Sequence, residues 1–213
     1  MTYAELTAAL QDFLENEESS FVANIPLLVG AAETRIYNEV RTPDQRTVTT
    51  GSLVGSTATV DTPAGFVEPL ALDVTVSGTI YTLLPKSVNY IRQVYQGAEG
   101  APETYAVQRS TTSATTLLLG PTPASGYSYR LDYIGFPASI VSAGTTWLGN
   151  NFEDVLLYAC LLEGHTYDKG DPGMQKVYED RYNQALATLR RSCEGLLYRD
   201  EYRDGLLTTG VQQ

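Results

Sequence analysis

The 213-residue sequence predicts an α+β protein: a four-helix bundle formed by the N- and C-terminal segments, with an antiparallel β-sandwich or barrel-like domain inserted between them. Three observations lead there. Apolar residues recur at helical spacing at both ends of the chain. The middle turns to Thr, Ser, Val, Gly and Tyr, with turn signals every several residues. Charge follows the same division. Residues 1–40 hold seven acids and one base, residues 41–149 seven acids and six bases, and residues 150–213 eleven acids and seven bases, giving net charges of -6, -1 and -4. The predicted organisation is a discontinuous bundle (1–40 and 150–195), a β insertion (41–149) and an extended C-terminal tail (196–213).

Thr2 and Glu5 form a capping-box pattern, and Tyr3, Leu6, Leu10, Phe13 and Leu14 follow at helical spacing. Asn16-Glu17-Glu18-Ser19-Ser20 breaks that helix. A second is predicted from Asn24 or Ile25, with Pro26 in its first turn and Ile25, Leu28, Ala32, Ile36 and Val40 as its stripe. Thr42-Pro43 ends it.

In the insertion, 47–54 and 57–61 flank Gly55-Ser56, and 70–76 and 79–84 flank Ser77-Gly78; both pairs read as β-hairpins. Further strands are predicted at 105–109, 115–119 and 127–134. On the last, Tyr127, Tyr129, Leu131 and Tyr133 share one face. A short helix is predicted at 86–95 with Val88, Ile91 and Val94 inward.

Asn150 or Asn151 opens the third long helix, with Glu153 and Asp154 in the turn where the dipole favours acids. Lys169-Gly170 stops it. Asp171-Pro172 starts the fourth, whose stripe runs through Met174, Val177, Tyr178, Tyr182, Ala185, Leu186 and Leu189 and ends near Gly195.

Composition excludes several functions. A net charge of -11 does not suit a protein that neutralises nucleic-acid phosphates. One histidine removes His-rich metal sites, two cysteines cannot complete a structural zinc site, and no cofactor or metal is expected. Hydrophobic residues are 43% of the chain, enough for a packed core. The opening Met-Thr-Tyr-Ala-Glu-Leu carries no basic region or long apolar run, so it does not read as a signal peptide. No apolar stretch approaches the ~20 residues a membrane span needs. Cys160 and Cys193, placed on consecutive antiparallel helices, fall too far apart for a bridge and suit a reducing compartment.

Catalytic patterns are absent. His165 is the lone imidazole, at a predicted helix C-terminus where the dipole favours a cation. No Gly-x-Ser-x-Gly elbow or phosphate-cradling loop occurs. Adjacent acids such as Glu17/Glu18, Glu153/Asp154 and Asp200/Glu201 diverge on a helix and form no converging pair. The tyrosine face of 127–133 reads as a core wall, an interface or a stacking platform for sugars.

Six segments carry a family likeness: Met1-Thr2-Tyr3-Ala4-Glu5-Leu6, Phe21-Val22-Ala23-Asn24-Ile25-Pro26, Ala31-Ala32-Glu33-Thr34-Arg35-Ile36-Tyr37, Leu119-Gly120-Pro121-Thr122-Pro123, Thr146-Trp147-Leu148-Gly149-Asn150-Asn151-Phe152-Glu153-Asp154 and Tyr178-Glu179-Asp180-Arg181-Tyr182. In combination and order they resemble the head-to-tail connector adaptor proteins of tailed bacteriophages. The resemblance implies a non-enzymatic virion protein, made in the host bacterial cytoplasm. It implies a twelve-membered ring beneath the portal protein that extends the DNA channel and offers a surface to the tail or nozzle protein. DNA would pass through without being specifically bound, and no membrane is involved.

Against that role the residues divide into three groups. Leu196, Leu197, Tyr198, Arg199, Tyr202, Arg203, Leu206 and Leu207 are the predicted portal-docking residues on the tail. Tyr178, Arg181, Tyr182, Arg190 and Arg191 are predicted at the subunit interface. Asp12, Glu15, Glu17 and Glu18 are predicted to line the channel, where acids repel the DNA backbone. The competing expectation is a carbohydrate- or surface-binding module of a phage tail or adhesion component that uses the Tyr-rich β domain. A glycoside hydrolase with an unrecognised carboxylate pair is the enzymatic alternative.

Overall fold

The computed structural model describes residues 1–109 and 115–204, with 195–204 described by backbone alone. It is a mixed α+β chain. Its contacts divide it into a helical unit, Met1–Asp44 together with the chain from Ala138 onward, and a β unit, Gln45–Pro137.

In the helical unit, α1 (Tyr3–Leu14) opens on the predicted capping box. The Glu5 amide donates to Thr2 Oγ1 at 3.3 Å, and the Thr2 amide donates to Glu5 Oε2 at 2.7 Å. These bonds hold the Glu5 carboxyl below its ordinary range. Helix α2 spans Ser19–Glu39, so it starts before the predicted Asn24 and carries Pro26 in its interior. Phe21, fully buried, explains the earlier start: the stripe Phe21, Ile25, Val29, Ala32, Ile36 begins upstream of the proline. Burial of that stripe outweighs the hydrogen bond Pro26 cannot donate, a loss of about 3 kcal/mol.

Two short helices, α4 (Ile140–Ala143) and α5 (Trp147–Asn151), precede the predicted start of the last helical segment. Ser139 and Thr146 cap them through their hydroxyls, and Ile140 and Leu148 are fully buried. Helices this short show no periodicity in sequence.

Helix α6 (Glu153–Tyr167) sits at the centre of the unit, packed against α1, α2 and the last helix, α7 (Pro172–Asp204). Val155, Leu156, Ala159, Cys160, Leu161 and Leu162 are buried all round it, as expected of an enclosed helix. Gly164 permits the approach of α1: a Cβ there would lie 2.6 Å from Leu14 Cδ1.

Helix α7 (Pro172–Asp204) is capped by Asp171, whose Oδ2 accepts from the Gly173 and Met174 amides. Its buried stripe is Tyr178, Tyr182, Leu186, Leu189 and Cys193. The helix does not stop near Gly195. It runs on to Asp204, so 196–204 are helical and not an extended tail. One glycine late in a long helix costs only about 1 kcal/mol, too little to end it. Both cysteines are buried and free.

The β unit holds two four-stranded sheets. The first has the order β1 (Arg46–Ser52), β10 (Ser128–Gly135), β3 (Phe66–Val76), β4 (Thr79–Thr82), antiparallel throughout. The second has the order β2 (Thr59–Asp61), β8 (Thr115–Gly120), β7 (Thr104–Arg109), β5 (Leu84–Pro85), in which β5 and β7 run parallel. A small parallel pair joins β6 (Glu99–Gly100) to β9 (Thr122–Pro123).

The Ser77-Gly78 hairpin forms as predicted. Its two loop residues have φ of 51 and 86, the left-handed pair a two-residue turn demands. The Gly55-Ser56 hairpin does not form: β1 pairs with β10 and β2 with β8, in different sheets. Leu53, 3% exposed, enters the shared core where the chain crosses. Helix α3 (Val88–Val94) is capped by Ser87 and buries Ile91, whereas Val94, predicted inward, is exposed.

Leu72, Val74, Leu131 and Tyr133 of the first sheet meet Tyr105, Leu117 and Leu119 of the second in one hydrophobic cluster. Tyr127 and Tyr129 pack against it. The tyrosine face of β10 is therefore a core wall, which removes it as a stacking platform for sugars.

Candidate interaction surfaces

The lone imidazole is a turn-builder. His165 is 9% exposed at the end of α6, with Nε2 2.8 Å from the Asp171 carbonyl oxygen and its ring edge-on to Tyr178. A Cβ on Gly170 would collide with that ring, so His165 and Gly170 together shape the α6–α7 turn. Among the described residues, no three His, Cys, Asp or Glu side chains are placed to hold a metal ion. No described helix is long and apolar enough to cross a membrane.

The charged and polar groups of α2 are used inside the helical unit. Glu33, 5% exposed, accepts the Ile140 amide at 2.8 Å and so caps α4 from across the fold. Arg35 pairs with Glu163 of α6 at 2.6 Å. Glu39 accepts from Tyr182 Oη and from Arg190, both at 3.2 Å. Arg35, Glu39 and Tyr182, with Leu162, Thr166, Gln175, Glu179 and Asn183, border an open cleft of about 350 Å³ between α2, α6 and α7. Burial, then the Glu39 charge, pushes the Tyr182 hydroxyl above its usual range. Burial, then Asp44 and Glu33, does the same to Tyr37. Burial, then Glu33 and Glu163, raises the Cys160 thiol.

The predicted subunit-interface group is split by this arrangement. Tyr178 and Tyr182 are buried in their own chain at 7% and 4% exposure. Arg190 is engaged by Glu39. Arg181 and Arg191 are exposed, and Arg191 Nε donates to the Ala187 carbonyl of its own helix. Sequence periodicity placed Tyr178 and Tyr182 on a stripe, and the fold turns that stripe inward.

The predicted channel acids are brought together. Asp12, Glu15, Glu17 and Glu18 are all exposed, from the last turn of α1 to the start of α2. Glu15 closes α1 in the left-handed conformation, φ 49. Asn16 braces the turn: its Nδ2 donates to Asp168 Oδ1 at 2.9 Å and its Oδ1 accepts the Glu18 amide. Of the docking group, Leu196, Leu197, Tyr198, Arg199, Tyr202 and Arg203 lie on the helical backbone of α7, and Leu206 and Leu207 lie outside the described residues.

Glu33 was missed by sequence reasoning, yet its signal was present: Val29, Glu33 and Ile36 share one helical face, so an acid sits in an apolar stripe.

Residues 1–206 match the family model described as SU10 adaptor protein. The chain belongs to that family. The β unit and all but the last seven residues of the chain fall within the match. Membership in the SU10 adaptor family agrees with the head-to-tail connector adaptors that the sequence resembles. Among solved structures, a chain from "Neck of empty GTA particle computed with C6 symmetry" is similar at 15% identity over 76% of each chain, with a TM-score of 0.28. No curated protein matches the chain.

Proposed function

We propose that this adaptor assembles as a ring of identical copies, twelve in number, beneath the portal of a tailed phage. There it extends the DNA channel and offers the tail its attachment surface. It carries no catalytic centre and works within the virion, after synthesis in the host bacterial cytoplasm. The four-helix-bundle and β-sandwich description of its two units belongs to the same reading. The observation that carries it is the match to one adaptor family along residues 1–206.

Three features support the reading. The acids Asp12, Glu15, Glu17 and Glu18 form an exposed group suited to a wall that repels phosphates. Arg181 and Arg191 are exposed cations of α7 within the predicted interface, suited to an acidic neighbour. Helix α7 continues beyond Cys193 as far as Asp204, a length suited to reach a portal. Leu196, Leu197, Tyr198, Arg199, Tyr202, Arg203, Leu206 and Leu207 are the proposed contacts there.

The test is assembly with portal rings, read by electron microscopy. The full chain should add a ring of density beneath the portal. Removal of 196–213 should leave the far-ultraviolet and melting behaviour of the two units in place and abolish docking. Docking by the truncated chain would reassign the portal contact, and a chain that stays monomeric beside its portal would overturn the adaptor reading.

A further inference from the structure

The two sheets of the β unit treat their edges differently. In the second sheet the edges are blunted by length, since β2 has three residues and β5 has two, one of them Pro85. The first sheet has no such guard. Its edge β1 pairs with β10 over seven residues without a bulge, and beyond Arg46 it carries no charge and no proline. Its other edge, β4, is uncharged and exposed at all four residues. Edges like these normally invite pairing.

The hydrogen-bond phase says which residues offer the free groups. The Leu53 amide donates to the Tyr127 carbonyl, so alternation along the antiparallel ladder turns the amides and carbonyls of Val48, Thr50 and Ser52 away from β10. On the opposite edge the Leu83 amide donates to Leu72, and the same alternation turns Ile80 and Thr82 outward.

Direction decides whether the two edges can meet. The sheet has four antiparallel strands, an even number, so β1 and β4 run in opposite senses. When copies follow one another by rotation, β4 of one lies beside β1 of the next in antiparallel orientation, and the ladder continues unchanged. Faces agree as well. Val48 opposes Asp132 and Ile80 opposes Thr75, which places both on the sheet face away from Leu131 and Val74. They are 51% and 68% exposed, and edge pairing would bring them into one strip.

The geometry points to edge-to-edge pairing between copies: β4 of one subunit adds to β1 of the next, joining the β units into a continuous sheet around the ring. The occupant of each edge is a second copy of this chain, because each subunit carries both halves of the contact. The inference rests on the proposed ring and specifies how the ring is held.

The test uses full-length rings assembled on portals. The double variants Val48→Cys/Ile80→Cys, Thr50→Cys/Ile80→Cys and Ser52→Cys/Ile80→Cys sample neighbouring registers. At least one should give a ladder of covalent multimers on oxidation, while each single variant stays one chain long. The native Cys160 and Cys193 are buried and leave the background clean. In wild-type rings, residue-level hydrogen exchange at Val48, Thr50, Ser52, Ile80 and Thr82 should slow at least ~tenfold relative to free subunits. Rings that form with no cross-link in any register and with unchanged exchange overturn the edge pairing and leave the adaptor reading standing. Cross-links to a different virion protein overturn the choice of occupant. Cross-linked chains of subunits without portal binding support the edge pairing while failing the adaptor reading.

Discussion

The helical unit and the β unit dispose of their polar and apolar groups in opposite ways. In the helical unit the carboxylates of α2 are consumed by its own fold, Glu33 by the α4 amide and Glu39 by Tyr182 and Arg190, and α6 is enclosed by apolar neighbours. Among the residues whose burial is described, most of the large exposed hydrophobics lie in the β unit, among them Val54, Leu70, Ile80, Tyr81 and Leu84, together with two open strand edges. A smaller body buries a smaller share of its surface, and two short sheets leave edges that a bundle does not have. The helices close around their own core, and the sheets leave apolar surface and strand edges exposed.

The largest test of that contrast is to damage each core separately. Leu156→Ala in α6 and Leu131→Ala in β10 each remove a fully buried side chain and should each cost ~2–5 kcal/mol. Trp147 is the sole tryptophan and lies in the helical unit, so its fluorescence in urea follows that unit. Leu156→Ala should lower the Trp147 midpoint, and Leu131→Ala should leave it in place while weakening the rest of the transition. Equal shifts from both would break the division into two units.

A smaller effect is expected at Glu33. Glu33→Ala strands the buried Ile140 amide and should cost ~1–3 kcal/mol. Glu33→Gln keeps an acceptor and should recover most of the loss. If both variants denature like the parent, the cap across the fold contributes nothing.

The smallest effect at neutral pH appears only in alkali. Tyr37, Tyr182 and Cys160 of the helical unit all titrate above their ordinary values of 10.0, 10.0 and 9.0, chiefly through burial. A raised folded value means the unfolded chain loses its protons first, so the associated stability is complete below about pH 9 and falls as pH rises through the unfolded values. The β unit carries weaker versions at Tyr105, by burial, and Tyr95, by burial and then Glu103. Trp147 emission should therefore report loss of the helical unit above about pH 10, in step with tyrosinate absorbance. Tyrosinate that forms fully while Trp147 emission holds would show the buried hydroxyls ionising in place.

Legibility in the sequence tracked the range of the interactions involved. The Thr2/Glu5 capping box, the Asp171 cap and the Ser77-Gly78 hairpin were all readable because each closes within four residues. The Gly55-Ser56 hairpin was misread because the turn is local but the partners are not: β10 and β8 lie far along the chain. Pro26 signalled a helix start, and the buried Phe21 overrode it. Gly195 signalled a stop that α7 passes through.

The candidate sites divide along the same line. Asp12, Glu15, Glu17 and Glu18 are neighbours in sequence and stay together in the fold. Tyr178 and Tyr182 formed a legible stripe, but a stripe has no outside until another helix covers it, and α6 and α2 do. The family likeness, the α+β class and the uneven charge were properties of the sequence alone, since composition, caps and periodicity are local. Which strands became edges, which carboxylate capped a distant helix and which tyrosines vanished into the core were decided by tertiary packing, because each depends on partners brought together only when the chain closes on itself.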